Sequence, residues 1–436
     1  MRNLFNRVFG NVVSDNSWYL CVEVFWAAMY ASAQSFAGAY AIRLGASNSE
    51  VSLLSSIPAL TAAVILLPVG HFLQYRARPT VWILASLLVA RAGTLLYVAV
   101  PWVHLGNLSP GAQFVGVFAL LTIPNHFFNL GFVPFLAQAL PENIRADTFA
   151  ARNVLIGAVM SLSNFGFGLW LGWMAFPANY QVMFVFGFVT SAVSLYYLYR
   201  VNISEVPRRA ATQAASPAVA RQSSSYLKEW VDFFKASWKV KAFAQITLNT
   251  FLYGTGLWAA TPLLLLHFVR NLGATDRWLG ELGAVSSLAT IFGYIFWRQV
   301  IRRWGEPKTL RWTIVGMGIY PVLAAIVPSL TAILFAAALN GIIAAGVNLT
   351  HLNTFLRVIP AEERHNYTAL HMTLMNVGAF ILPLVGIALA NRVGFVPVLI
   401  GCGLMSSIGA TSFWIWPVGD ERRPRVGPRP SLEGTD

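Results

Sequence analysis

The chain has 436 residues, of which 56% are apolar and only 11% charged, against about 25% charged in soluble domains. That balance excludes a soluble globular protein, whose surface needs more charge. The net charge of +13 does not point to a nucleic-acid partner, because the Lys and Arg residues fall in short loops between apolar runs, as the positive-inside pattern requires.

Taken in order, the first apolar run follows Arg2 and Arg7 and ends near Ala31-Ser32-Ala33, a pattern that imitates a cleavable signal. Glu23 lies inside the would-be signal core, and removal would cost one half of the chain a helix. The run is therefore read as a first transmembrane helix. About twenty apolar residues span a bilayer, and twelve such stretches follow one another: about 17–42, 50–73, 80–102, 112–138, 153–175, 181–200, 241–269, 278–299, 310–327, 330–356, 366–390 and 395–417. This is an all-α integral membrane protein of two six-helix bundles, 17–200 and 241–418. A cytoplasmic segment 1–16 precedes them, a linker 201–240 joins them, and a tail 419–436 follows. The linker is Ala, Ser and Arg-rich up to 225. From Tyr226 to Val240 apolar residues recur at helical spacing, either as an amphipathic helix on the membrane surface or as an extension of the seventh span.

Loop charge orients the chain. The N-terminus, the loops 74–79, 139–152, 298–311 and 357–365, the linker with its flanks and the tail hold about 25 of the 30 Lys and Arg residues. The other side has Arg43, Arg270, Arg277 and Arg392. Both termini are expected in the cytoplasm, in a plasma or inner membrane. Cys21 and Cys402 sit in apolar segments at opposite ends, with no disulfide and no metal site. No phosphate-cradling Gly-Lys-Ser/Thr loop, Cys/His cluster or nucleophile–base pair marks an enzyme or a cofactor site.

The two halves echo each other. Pro141, Arg145 and Ala150 recur at the same offsets as Pro360, Arg364 and Ala369. Leu44-Gly45-Ala46-Ser47 recurs as Leu272-Gly273-Ala274-Thr275. Six spans plus six, a basic linker and a parallel duplication resemble the major facilitator superfamily. Its signature after helix 2, Gly-x-x-x-Asp-Arg-x-Gly-Arg-Arg, survives in part as Gly70-His71-Phe72-Leu73-Gln74-Tyr75-Arg76-Ala77-Arg78-Pro79. The first Gly and the penultimate Arg match, and Gln74 replaces the Asp. The echo after helix 8 keeps only Arg303-Trp304-Gly305. The resemblance implies alternating access, with two bundles rocking about a site near mid-membrane. Gly70, Arg76, Arg78, Arg145, Arg302, Arg303, Gly305 and Arg364 would belong to the cytoplasmic gating loops.

The resemblance also implies that helices 1, 4, 7 and 10 line a cavity and carry polar stripes. Helix 1 offers Glu23, Trp26, Tyr30 and Gln34. Helix 4 has Asn125, His126 and Asn129. Gln245, Asn249 and Tyr253 lie on helix 7, and Asn340, Asn348 and His351 on helix 10. A polar group hidden from lipid needs a partner or a wet cavity; interhelical glue would also use such residues. Glu23 and mid-helix Arg91 could pair structurally. Alternatively Glu23 carries protons, with His126, His351 and His371 as further titratable candidates. The expected function is secondary transport of a small solute by a monomer in contact with membrane lipids. A proton is the coupling ion, and the aromatic content leans toward an amphipathic compound or efflux substrate. A non-transporting scaffold and a lipid flippase on the same fold are the competing readings.

Overall fold

The computed structural model describes residues 14–74, 76, 78–103, 106–202, 232–360 and 363–418. The N-terminal segment, most of the linker and the tail lie outside the described residues. Among the described residues twelve long helices follow in chain order. α1 is Asp15–Ser35 continued by Ala37–Arg43; α2 is Asn48–Gln74; α3 is Pro79–Gly93 continued by Leu96–Ala99 and the turn Val100–Trp102. α4 is Pro110–Ala139, α5 Glu142–Leu171 and α6 Ala178–Tyr199. α7 is Lys241–Leu266 continued by the π turn His267–Asn271, and α8 is Asp276–Trp304. α9 is Glu306–Gly316 continued by Ile319–Ile326; α10 is Leu330–Val358, α11 Arg364–Val393 and α12 Phe395–Ile415. Eleven of them are long and apolar enough to cross a membrane. The exception, α1, is the helix whose polar stripe includes Glu23 and Gln34.

Local chemistry sets several starts. Ser14, Ser109, Thr275 and Ser329 each accept a backbone N–H three residues on, capping α1, α4, α8 and α10. Gly305 ends α8 at φ +79°, a conformation that favours glycine. The third helix of each half is broken at matching places, after Gly93 and after Gly316. A Cβ on Gly93 would run into the Leu121 side chain of α4, so the fourth helix leans in where α3 gives way.

The packing repeats between halves. α1 lies against α6 and α5, α2 against α4, and α3 against α4 and α6; α7 to α12 repeat each of these pairings six helices on. The halves meet through α5 with α8 and α2 with α11, two pairs that exchange under the same step. The duplication in the loops is thus a duplication of the bundle.

The two ends of the molecule differ. One end, here the terminal end, holds the starts of α1 and α7; the other is the far end. At the far end a single apolar core runs through both halves, including Phe36, Tyr40, Phe114 and Tyr180 from one and Leu263, Leu266, Ile387 and Leu399 from the other. At the terminal end each half has its own core: Leu20, Leu87 and Phe135 in the first, Phe243, Phe355 and Tyr367 in the second. The halves are joined at one end and separately packed at the other.

Two boundary expectations change. α5 begins at Glu142 rather than near 153, which moves Arg152 from loop to helix, roughly 15 Å along it. The described part of the surface segment is helical over 232–237, then turns at 238–240 before α7 starts. It is therefore no straight extension of the seventh span, and Phe233 stacks edge-on to Tyr367, 5.4 Å between ring centres.

Candidate functional site

In the first half the interior is organised by Glu23, which is 4% exposed. Its Oε2 accepts from Arg152 Nη1 at 2.8 Å and its Oε1 from Ser194 Oγ at 3.1 Å. Arg152 also donates to the Leu20 carbonyl. One carboxylate thus ties α1 to α5 and α6. The pairing entertained from sequence, Glu23 with Arg91, is replaced: α5 starts earlier than expected and brings Arg152 to the carboxylate. Arg91 instead lies over the Tyr30 ring, 3.6 Å from its centre, and its Nη1 is buried without an acceptor. Gln34, one turn beyond Tyr30, has a buried Nε2 that is likewise unpartnered. Trp26 is half-buried and stacks edge-on with Phe25.

On α4, Asn125 and Asn129 are exposed, although they lie deep in a 30-residue helix. Helical spacing puts Asn125 on one stripe with Phe132, whose ring sits 5.5 Å below the Arg152 guanidinium. That stripe therefore lies on the face of α4 turned toward Arg152 of α5. His126, next to it, is turned to the backbone of Pro58 on α2.

The second half places histidines where the first has its ion pair. The step that carries Pro141 to Pro360 and Arg145 to Arg364 carries Arg152 onto His371. His371, 2% exposed, faces Thr247 Oγ1 at 3.1 Å through Nδ1. His351 of α10 faces Thr250 Oγ1 at 2.8 Å, and the two imidazole centres lie 5.9 Å apart. A hydrogen-bonded histidine–threonine cluster here occupies the place of the ion pair. Asn348 is exposed and sits on α10 between Ala345, which packs on Gly293 of α8, and His351, which faces α7. Asn340, Gln245 and Tyr253 are half-buried.

Asn249 departs from its stripe. It is 0% exposed and donates to the Trp416 carbonyl at 3.0 Å, just past the end of α12. Asn249→Ala is expected to lower stability by about 1 kcal/mol through that lost bond, seen as a lower Tm with solute affinity unchanged.

The loop residues separate from this interior. Gly70 lies within α2. Arg76 stacks on Phe72 and Trp82, at 4.2 and 5.3 Å from the ring centres. Arg145 donates to the Leu140 carbonyl at 3.1 Å. Arg78, Arg302, Arg303 and Arg364 are exposed at the terminal end. At the far end the halves are bonded together. Arg43 meets Asp276 at 3.3 Å, Asn48 meets Asn391 at 2.8 Å, and Arg270 donates to Asn48 and to the Ala46 carbonyl. Beneath these, α5 and α8 cross closely: a Cβ on Gly280 would lie 2.6 Å from Gly168 Cα and 2.5 Å from the Asn164 carbonyl oxygen. Gly168 thus lets the two helices approach this closely. Gly166 borders an apolar groove, with Met29, Phe167, Trp170 and Phe186, of about 400 Å³; Gly172 ends the helix.

Sequence reasoning missed Arg152, Ser194, Thr247 and Thr250. Arg152 could have been found from the duplication, as the residue matching His371. The two threonines carry no signal of their own in an apolar run.

Residues 246–434 match the Major Facilitator Superfamily. No curated protein matches the chain in sequence. Among solved structures it is similar to a mutant form of the nucleoside transporter NupG, at 15% identity and TM-score 0.67, over 92% of this chain and 100% of that one. It is similar to a bacterial homolog of the human lysosomal transporter Spinster, inward-facing and occupied, at 12% identity and TM-score 0.61, over 91% and 96%. The xylose transporter XylE from E. coli, inward open, aligns at 14% identity and TM-score 0.60, over 94% and 96%. These likenesses carry the fold, and the sequence match covers the second bundle. The second bundle thus resembles the Major Facilitator Superfamily in sequence, and the chain as a whole shares the fold of these transporters.

Proposed function

We propose that the protein is a secondary transporter that moves a small solute through the polar interior by alternating access, coupled to a proton held on Glu23. The observation that carries this reading is a buried carboxylate, bonded to Arg152 and Ser194, in a protein whose mid-helix Asn125, Asn129 and Asn348 are exposed. Joined cores at the far end and separate cores at the terminal end describe one of the two states such a cycle requires. With the basic loops facing the cytoplasm, that state opens inward, as in the Spinster homolog and XylE structures.

A proton on Glu23 would cancel the charge that holds Arg152 and so loosen α1 from α5. Since α5 is also the helix that crosses α8, this links protonation to the contact between halves. Glu23→Gln is expected to abolish gradient-driven uptake into proteoliposomes while solute exchange at equal pH persists. Unchanged gradient-driven uptake would remove Glu23 from coupling.

The apolar groove between α1, α5 and α6 favours a second reading, lipid translocation. A fluorescent phospholipid that changes leaflet in reconstituted vesicles, with no solute uptake, would replace the first reading by this one.

A further inference from the structure

We propose that the transported solute is a small monocarboxylate, and that its carboxylate is held by Arg91 together with Gln34 and Tyr30. This rests on the transporter reading and specifies its substrate.

The first support is charge. Glu23 is the sole carboxylate among the described buried residues, yet two guanidiniums share its surroundings. Arg152 takes Glu23 Oε2 and Ser194 takes Oε1. Glu23 is within electrostatic reach of Arg91, but the cation it bonds is Arg152. Arg91 lies near the middle of the bilayer, roughly 18 Å from the start of α3. One positive charge is therefore left over at a depth where unpaired charges are not retained without a counter-ion. A solute bearing one negative charge supplies it.

The second support is hydrogen bonding. Arg91 Nη1 and Gln34 Nε2 are both buried donors without an acceptor, and buried donors are ordinarily satisfied. Gln34 stands one helical turn from Tyr30, whose ring carries the Arg91 guanidinium at 3.6 Å. Tyr30 gives Arg91 one partner, but Arg91 Nη1 and Gln34 Nε2 stay unserved, and a carboxylate brings two oxygens to these two donors. A neutral sugar or amide would satisfy the donors and leave the charge.

Two measurements on the full-length protein test this. In the absence of solute, Arg91→Met should melt no lower than the wild type, because it removes an uncompensated charge. Monocarboxylates of two to twenty carbons should raise the wild-type Tm by about 3 °C or more at saturation. Their primary amides should not, and the shift should vanish in Arg91→Met. The proposal is overturned if Arg91→Met melts several degrees lower without solute, which would make Arg91 a packing residue. It is equally overturned if no carboxylate in the series stabilises the protein, or if the amides stabilise it as well. Glu23-dependent uptake of an uncharged solute would sink the anion assignment and leave the transporter reading standing.

Discussion

Arg152→Met is expected to destabilise the protein by about 3–5 kcal/mol, the range for breaking one side of a buried ion pair. Glu23 would then keep one hydroxyl partner, Ser194 at 3.1 Å, and lose the cation at 2.8 Å in surroundings that are almost dry. The Arg152 and Glu23 side chains are 8% and 5% exposed, so the discount that applies to surface pairs does not apply here. Glu23→Gln alone should cost less, since an amide can still accept from Arg152. Combining Glu23→Leu with Arg152→Met should recover most of the loss, because a neutral, well-filled site replaces a half-broken one. A double-mutant cycle in denaturant or thermal unfolding measures the coupling. A coupling energy below about 1 kcal/mol would mean that α1 and α5 are held by packing alone, and the proposed link from Glu23 to the α5–α8 crossing would lose its basis.

The pattern of apolar runs disclosed the architecture readily, and for a physical reason: lipid leaves a spanning chain no option but helices, so length and hydropathy nearly determine the fold. Matching Pro141 with Pro360 and Arg145 with Arg364 foretold the repeated pairings of the two bundles. The site was less legible. Hydropathy marks where a helix becomes apolar, and α5 starts one polar stretch earlier, so Arg152 was counted among loop cations. The direction of a polar side chain is set by neighbours far away in sequence. Asn249 shares a helical stripe with Gln245 and Tyr253, yet the carbonyl of Trp416 draws it to α12. Thr247 and Thr250 look like ordinary apolar-helix residues until α10 and α11 bring His351 and His371 to them.

Gly280→Val is expected to prevent closure of the far end and to abolish transport. The neighbours a side chain would meet there are backbone, Gly168 Cα and the Asn164 carbonyl, and backbone cannot rotate aside as a side chain can. Overpacking of this kind costs about 1–3 kcal/mol. The protein can escape that cost by moving α8 away from α5, which opens the far end. The polar bonds are too weak to resist: the Arg43 side chain is 36% exposed in its pair with Asp276, and such pairs contribute about 0–1 kcal/mol. A cysteine at Ala274, whose carbonyl receives Arg43 and which is 1% exposed, reports the change. The native Cys21 and Cys402 are buried and give little background. Labelling of Ala274→Cys by a membrane-impermeant thiol reagent should rise about tenfold or more in the Gly280→Val background, the equivalent of about 1.4 kcal/mol in the opening equilibrium. Gly157→Ala is the control. Its new Cβ would meet only the end of the Ile291 side chain, at 2.8 and 2.9 Å, which can turn away, so labelling and transport should stay near the wild-type values. Equal labelling of all three proteins would show that the α5–α8 crossing does not hold the far end shut.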